Sequence, residues 1–265
     1  MYKSFYRFDK SFKEFCMKRE LKVLIGLACL FVLGLPVFAQ PNAKSIETFV
    51  MDDFDSAGAQ KYLHNGKELS WDWGVNPSRF IADGFPKTGY FPGIPMSLKQ
   101  LHKGEDKEFK VFGVKTAFKR KGDNFFEVYP TLDDKPFEIP FTGHVSQMDF
   151  WVWGAGYKYY LEVLVRDTIG TVKVLPAGSL AFHGWKNVIV NIPGWIQQNA
   201  LRRSDRDSLL FVGFRIRSDA SEYVDDFVVY FDQIKYTSNS LSYIYDGYEL
   251  NDVDFGDSDD VSEAK

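Results

Sequence analysis

The chain has 265 residues, of which 45% are hydrophobic and 17% aromatic, and its formal net charge is −4. This length allows one or two domains with a core large enough to fold without disulfides. The negative charge argues against nucleic acid as a partner, because nucleic-acid-binding proteins neutralise phosphates with a basic surface.

Residues 1–39 have the three parts of a secretory signal peptide. Basic residues within 18–22 precede a short apolar run over 23–33, and small residues lead up to Ala39. This order predicts export, with cleavage after Ala39 and no membrane contact afterwards. An uncleaved anchor and lipidation at Cys29 are the alternatives, although the run is short for a bilayer span.

The signal peptide also determines the start and the cysteine content of the mature chain. Met17 opens a conventional signal peptide and is therefore expected to be the true start. Both cysteines, Cys16 and Cys29, fall within residues 1–39. The mature protein is predicted to contain no disulfide and no thiol chemistry, so its core alone must stabilise it.

Short runs rich in β-branched and aromatic residues follow, with turn residues between them, which is typical of an all-β sandwich or barrel. We predict strands over residues 47–54, 109–118, 124–129, 145–153, 158–167, 171–175, 185–192, 209–218 and 227–236. The last of these begins apolar on both faces and is expected to lie in the middle of its sheet.

The remaining segments lack this pattern. Residues 56–106 are rich in glycine, proline and charge and are interpreted as long surface loops, and residues 193–200 as a helical turn. Residues 251–265 are mostly acidic and are predicted to form a disordered tail. We therefore expect the folded domain to span residues 40–250 as an antiparallel β-sandwich.

The sequence contains no recognisable catalytic motif. The four histidines lie far apart and outside any zinc-protease motif, and neither a nucleophile elbow nor a phosphate-binding glycine loop is present. Asp133 and Asp134 fit a hairpin turn better than a pair of catalytic carboxylates. We predict that the protein is not an enzyme, binds no cofactor and has no catalytic metal. The histidines are His64, His102, His144 and His183.

Two tryptophan pairs stand out, Trp71 with Trp73 and Trp151 with Trp153. Their spacing places both rings of a pair on one face of a strand. Such pairs stack on sugars, anchor a protein partner or fill the core between sheets. For Trp151 and Trp153 the choice stays open, because the alternate residues of that strand are apolar and also need burial.

Acidic residues lie at both ends of the predicted domain. Asp53 and its two acidic neighbours lie on the first strand, and Asp232 lies on the last, where alternation places it on the same face as Tyr230 and Ile234. A buried aspartate needs a partner. A hydrogen bond or ion pair is the favoured interpretation, and a structural calcium ion shared by the two strands is the alternative.

Several long strings of residues, taken together, resemble a known family. The strings and their order along the chain resemble the spirochaete flagellar filament outer layer protein, the FlaA sheath family. The resemblance runs from about residue 47 to residue 250. The strings DDFD at 52–55 and FDQIK at 231–235 also resemble galactose-binding-like jelly rolls. The family strings are VKTAFKRKGDNFFEVYP (114–130), KPFEIPF (135–141), DFWVWG (149–154), YLEVLVRD (160–167), VLPAG (174–178), GWKNVIV (184–190), IPGWI (192–196), FVGFRIR (211–217) and EYVDDFVVYFDQIKY (222–236).

The resemblance implies a non-enzymatic periplasmic protein that coats a filament core of flagellin-type subunits, beside other sheath subunits. We place its contact surface in residues 56–106, with Trp71 and Trp73 as anchors. A periplasmic carbohydrate-binding module is the alternative, because a jelly roll with paired tryptophans also suits sugars. A third hypothesis, an accessory domain of an enzyme, is supported only by analogy of fold.

Overall fold

The computed structural model describes residues 46–56, 60–64, 67–199 and 208–239. The predicted signal peptide over 1–39, both cysteines and the predicted acidic tail over 251–265 lie outside these ranges. Within them, no helix has the length and apolar character needed to cross a membrane.

Fourteen strands and one short helix make up the regular structure of the described residues, which confirms the predicted all-β class. In chain order they are β1 (Ile46–Asp52), β2 (Gln60–His64), β3 (Lys67–Pro77), β4 (Lys87–Pro92), α1 (Met96–Leu101), β5 (Lys110–Thr116), β6 (Phe125–Leu132), β7 (Lys135–Pro136), β8 (Ile139–Pro140), β9 (His144–Ala155), β10 (Tyr159–Arg166), β11 (Val172–Ser179), β12 (His183–Asn191), β13 (Leu210–Ser218) and β14 (Phe227–Asn239).

These strands form two antiparallel sheets. The six-stranded sheet has the order β12-β9-β14-β5-β4, with β1 added beside β14. The eight-stranded sheet has the order β11-β10-β13-β6-β3-β2, with β7 beside β6 and β8 beside β13. β14 pairs with β9 along one side and with β5 and β1 along the other, so its predicted central place is confirmed.

The sheets pack face to face around a continuous apolar core. Phe150 and Val152 of β9 are fully buried, and Phe150 meets Phe214 of the other sheet with ring centroids 4.9 Å apart. Burying one such side chain contributes about 1.5–3 kcal/mol relative to leaving it in water. The alternation of the strands thus joins the two layers into a β-sandwich.

The predicted turn at Asp133 and Asp134 is confirmed. These residues join β6 to β7 and have φ angles of 50° and 59°. A two-residue hairpin needs this left-handed backbone at both central positions, and aspartate tolerates it.

The prediction that residues 56–106 form long loops is wrong, because β2, β3, β4 and α1 lie in this range. In β3, Trp71 and Trp73 face the core and alternate with Asp72 and Gly74 on the outer face. Polar and small outward residues, with glycine and proline on either side, gave this segment the composition of a loop.

Two smaller predictions are also corrected. Residues 193–199 form turns without a helix. Ile234 does not share a face with Tyr230, because the register of β14 shifts after Asp232, where Gln233 has a φ of 45°. This bulge turns Ile234 into the core while Tyr230 stays on the outer face.

Candidate interaction surface

Trp71 and Trp73, the predicted partner anchors, lie in the core. Their side chains are only 3% and 7% exposed. The indole of Trp73 stacks on Phe214, and its Nε1 donates a hydrogen bond to Asp52 Oδ2 (2.6 Å). Their predicted role as surface anchors is corrected, because a side chain enclosed by two sheets cannot reach a partner while the domain stays folded.

Three of the four acids singled out in the sequence have a side-chain partner that donates a hydrogen bond or forms an ion pair. Asp52 accepts one hydrogen bond from the backbone two residues on and another from the Trp73 indole. Lys107 Nζ lies 2.7 Å from Asp55 and 3.4 Å from Asp53, so one ammonium group bridges the two carboxylates and offsets one of their two charges. In the described part of the chain, no group of His, Asp or Glu is arranged to hold a metal ion. Hydrogen bonds and ion pairs supply partners for Asp52, Asp53 and Asp55, which is the favoured interpretation made from the sequence.

Asp232 is the fourth acid and lacks a charged partner among the described residues. It is 4% exposed and lines a small cavity of about 200 Å³ beneath Leu98 of α1. It accepts a hydrogen bond from the Gln233 backbone N–H, but burial, reinforced by the charges of Asp55 and Asp53, raises its pKa to about 8. A buried carboxyl with this pKa makes stability depend on pH.

Replacing Asp232 with asparagine is expected to stabilise the protein by an amount that grows as pH rises. The unfolded carboxyl loses its proton near pH 4, at a pKa of about 3.9, whereas the folded protein keeps this proton up to about pH 8. The contribution of Asp232 to stability therefore falls between these values, by at most about 1.4 kcal/mol per pH unit. Urea unfolding of both proteins at several pH values measures the difference.

Asp52→Asn is the comparison variant for that experiment, because burial also raises the pKa of Asp52, to about 7, but both of its oxygens accept hydrogen bonds. Asp52 now accepts hydrogen bonds from the Phe54 backbone N–H and from the Trp73 indole N–H. In the asparagine variant, the side-chain NH₂ group would face one of these two donors. We expect this variant to be destabilised, because a buried donor would be left unsatisfied. A stability difference between wild type and Asp232→Asn that stays constant across pH would contradict the role given to Asp232.

Trp151 and Trp153 lie on the outer face of the six-stranded sheet. The alternate residues Phe150 and Val152 fill the core, so the two indoles project the other way and remain partly exposed. The question left open by the sequence is thus answered, and this face becomes the candidate surface.

An aromatic row crosses this outer face. The strand register places Trp185 of β12 beside Trp153 of β9, and Trp153 beside Tyr230 of β14. Tyr230 meets Trp153 edge to face with centroids 5.4 Å apart, and Phe91 of β4 in the same way at 5.9 Å. We call Trp151, Trp153, Trp185, Tyr230 and Phe91 the aromatic face.

Gly113 of β5 makes the row continuous. A Cβ atom at this position would lie 2.6 Å from the Tyr230 ring and 2.8 Å from the Phe91 ring, closer than packed atoms approach. Beside the rings, Asn187 donates to Asp149 (3.0 Å), which also lies 3.5 Å from Lys235. Protein interaction surfaces typically have aromatic residues at their centre and polar residues around them, as this face does.

The outer face of the eight-stranded sheet has a different character. Its charged side chains are paired with one another and lie across neighbouring strands, so their charges are largely satisfied within the domain. Such exposed pairs contribute little to binding unless a partner desolvates them. Examples are Arg166–Glu138 (2.7 Å), Arg215–Glu127 (2.7 Å) and Arg217–Asp123 (3.0 Å).

Comparison with known proteins gives the family. The sequence profile described as "Flagellar filament outer layer protein FlaA" matches residues 69–245, well over half of the chain. The chain belongs to the FlaA family. The resemblance noted in the sequence is thereby confirmed, and the match extends from β3 through the end of β14.

Individual relatives agree with this family. A flagellar filament outer layer-like protein of Brachyspira hyodysenteriae is 28% identical over 199 residues, which cover 72% of this chain and 78% of that protein. The flagellar filament outer layer protein of Treponema pallidum is 31% identical over 116 residues, which cover 40% of this chain and 31% of that protein.

Among solved structures, a carbohydrate-binding module of the β-sandwich superfamily superposes with a TM-score of 0.40 and 10% identity, over 62% of this chain and 56% of that one. At that similarity it says nothing about what this FlaA protein binds.

Sequence reasoning missed Trp185, Tyr230 and Phe91 as members of the surface. Trp185 is the only aromatic residue of β12, and Tyr230 and Phe91 share their strands with other aromatic residues that carry the same local pattern. Only the register between strands places Trp185 and Tyr230 beside Trp153 and Phe91 beside Tyr230. The tryptophan at 185 was visible within the family string GWKNVIV, but its neighbours in space depend on pairings that one strand does not reveal.

Proposed function

We propose that this protein is a structural subunit of the outer layer, or sheath, of the periplasmic flagellar filament. The observation that carries the proposal is the match to the FlaA family over residues 69–245. Export by a signal peptide over 1–39 would bring it to the periplasm, where flagellin-type core subunits and other sheath subunits are its partners. Its contribution is to the shape and stiffness of the filament and thereby to motility.

The aromatic face is the surface we assign to the core filament. Tryptophan and tyrosine are enriched among residues that dominate binding energy, because a large rigid ring buries much area at little entropic cost. Trp153 and Tyr230 already hold each other in place, so binding need not order them. The paired charges of the other sheet suit a surface that faces solvent.

Binding to filaments in vitro tests this function. Core filaments stripped of their outer layer are mixed with the purified, processed protein and pelleted. We expect saturable co-pelleting with an occupancy set by the number of core subunits. Protein that stays in the supernatant, when native outer-layer extract rebinds the same filaments, would contradict the proposal.

Carbohydrate binding is the second candidate function, and the same face favours it. Indoles stack on sugar rings, and Asp149 and Asn187 beside them offer hydrogen bonds for hydroxyl groups. Titration with oligosaccharides and peptidoglycan fragments would change the fluorescence of Trp151 or Trp153. A saturable response that disappears in Trp153→Ala supports this function, and an unchanged signal with every glycan removes it.

A further inference from the structure

Trp195 is an exposed indole on a rigid loop. Its side chain is 68% exposed, although the residues on either side of it are anchored. Ile192 and Ile196 pack in the core, and Gln198 exchanges two 2.8 Å hydrogen bonds with the backbone of Val145. A ring displayed in this way needs little ordering on binding, which favours a contact role.

The surroundings of Trp195 extend this exposed apolar surface. Lys173 of β11 lies with Nζ 5.8 Å from the indole centroid, and Ile169 and Val174 of the same hairpin are also exposed. β11 and β12 are edge strands of their sheets. The backbone N–H of Thr168 donates to Gln197 O (3.2 Å), so this hairpin and its exposed Ile169 lie beside the Trp195 loop. We call Trp195 together with Ile169 the Trp195 knob, and Val174 is outside it, on the opposite face of β11 from Lys173.

A cavity lies at the other side of the six-stranded sheet, beside its opposite edge strand β4. It measures about 770 Å³ and is bounded by the end of β4, by α1 and by the segment leading to β5. Ile94, Met96 and Phe109 supply apolar walls, and the charged residues around it include Lys99 and Lys103 together with Glu105 and Glu108. We call this larger cavity the α1 cavity. Pockets of about 300–1,000 Å³ enclose ligands larger than an indole.

We propose that the Trp195 knob of one copy of this protein occupies the α1 cavity of the next copy. The lysines around the cavity favour this occupant, because an ammonium group over the face of tryptophan is the strongest of the cation–π pairs. Exposed Met96 and Leu101 on α1 supply apolar surface for Ile169.

The contact joins two different surfaces on opposite edges, so it is heterologous and leaves a free knob and a free cavity at the ends of every chain of subunits. This inference rests on the proposed sheath function, in which neighbouring subunits must meet while the aromatic face contacts the core. Knob and aromatic face are separate residue sets, so one copy can make both contacts.

Two variants and their mixture test the contact by analytical ultracentrifugation of the full processed protein. Trp195→Ala removes the knob, and Gln100→Trp fills the cavity from an exposed position on α1. We expect wild type to associate with rising concentration and each variant alone to associate at least about tenfold more weakly. The equimolar mixture should form one-to-one dimers, since one intact knob and one intact cavity remain.

Tyr223→Ala is the matched control, because Tyr223 is also an exposed ring with a lysine, Lys121, 4.3 Å from its centroid. It should associate like wild type. A monomeric wild type, undiminished association of Trp195→Ala, or a mixture that stays monomeric would overturn the proposal. Association that is lost on removal of residues 251–265 but kept in Trp195→Ala would also overturn it.

Filament pelleting separates this inference from the proposed function. Trp195→Ala should still bind core filaments, but with reduced cooperativity. If wild type self-associates through the knob yet never binds filaments, the sheath function fails and the contact stands. If wild type binds filaments and Trp195→Ala binds them with the same cooperativity, the proposed contact fails and the sheath function stands.

Discussion

Replacing Trp73 with alanine should lower the free energy of unfolding by about 3–5 kcal/mol, the usual cost of removing a buried tryptophan. The loss has two parts. The cavity removes packing between the sheets, and Asp52 loses the donor that satisfies one of its buried oxygens. The ring of Trp73 has five aromatic neighbours within 6.2 Å, centroid to centroid, namely Phe54, Trp71, Phe112, Phe211 and Phe214.

Urea unfolding followed by circular dichroism measures this effect. Tyr223→Ala serves as the control, because its ring is 66% exposed and its removal should change stability by less than about 0.5 kcal/mol. If Trp73→Ala unfolded at the same urea concentration as wild type, the ring would not be the core residue that the structure shows.

Replacing Trp153 and Trp185 together with alanine should weaken binding to stripped filaments by at least about tenfold, as expected when anchor residues are removed. Both rings lie on the outer face, so their loss opens no cavity between the sheets. The binding isotherm from pelleting measures affinity, and urea unfolding of the same variant verifies that the domain stays folded.

Tyr160→Ala is the control for the aromatic face, because Tyr160 is an exposed ring on the outer face of the other sheet. It should bind filaments like wild type. Equal losses from both changes would mean that the binding is not confined to the aromatic face. An unchanged affinity of the Trp153 and Trp185 variant would move the core contact elsewhere on the domain.

The two tryptophan pairs explain how far sequence reasoning reaches. Both pairs have the period of a strand, but their alternate residues differ. Asp72 and Gly74 can face water, so Trp71 and Trp73 are free to fill the core, whereas Phe150 and Val152 compete with the other pair for burial. The residues that alternate with the tryptophans therefore distinguish the buried pair from the exposed pair. In β3 this distinction can be made from the sequence only if the segment is first assigned as a strand.

Other features could not be predicted from a single strand. The bulge at Gln233 changes which face Ile234 occupies, and bulges follow from pairing between strands rather than from local propensity. The cavity around Asp232 exists because Leu98 of α1 lies over it, and a six-residue helix gives only a weak periodic signal. The strongly alternating strands β9, β10 and β13 were found, since burial alone sets their pattern.

Mass spectrometry of periplasmic filaments isolated from the cells that make this protein tests its assignment as a sheath subunit most directly. We expect the chain to be enriched with the flagellin-type subunits and to begin after Ala39. Recovery of the chain only in the soluble periplasm, with none on the filaments, would contradict the sheath function and leave carbohydrate binding as the function to pursue.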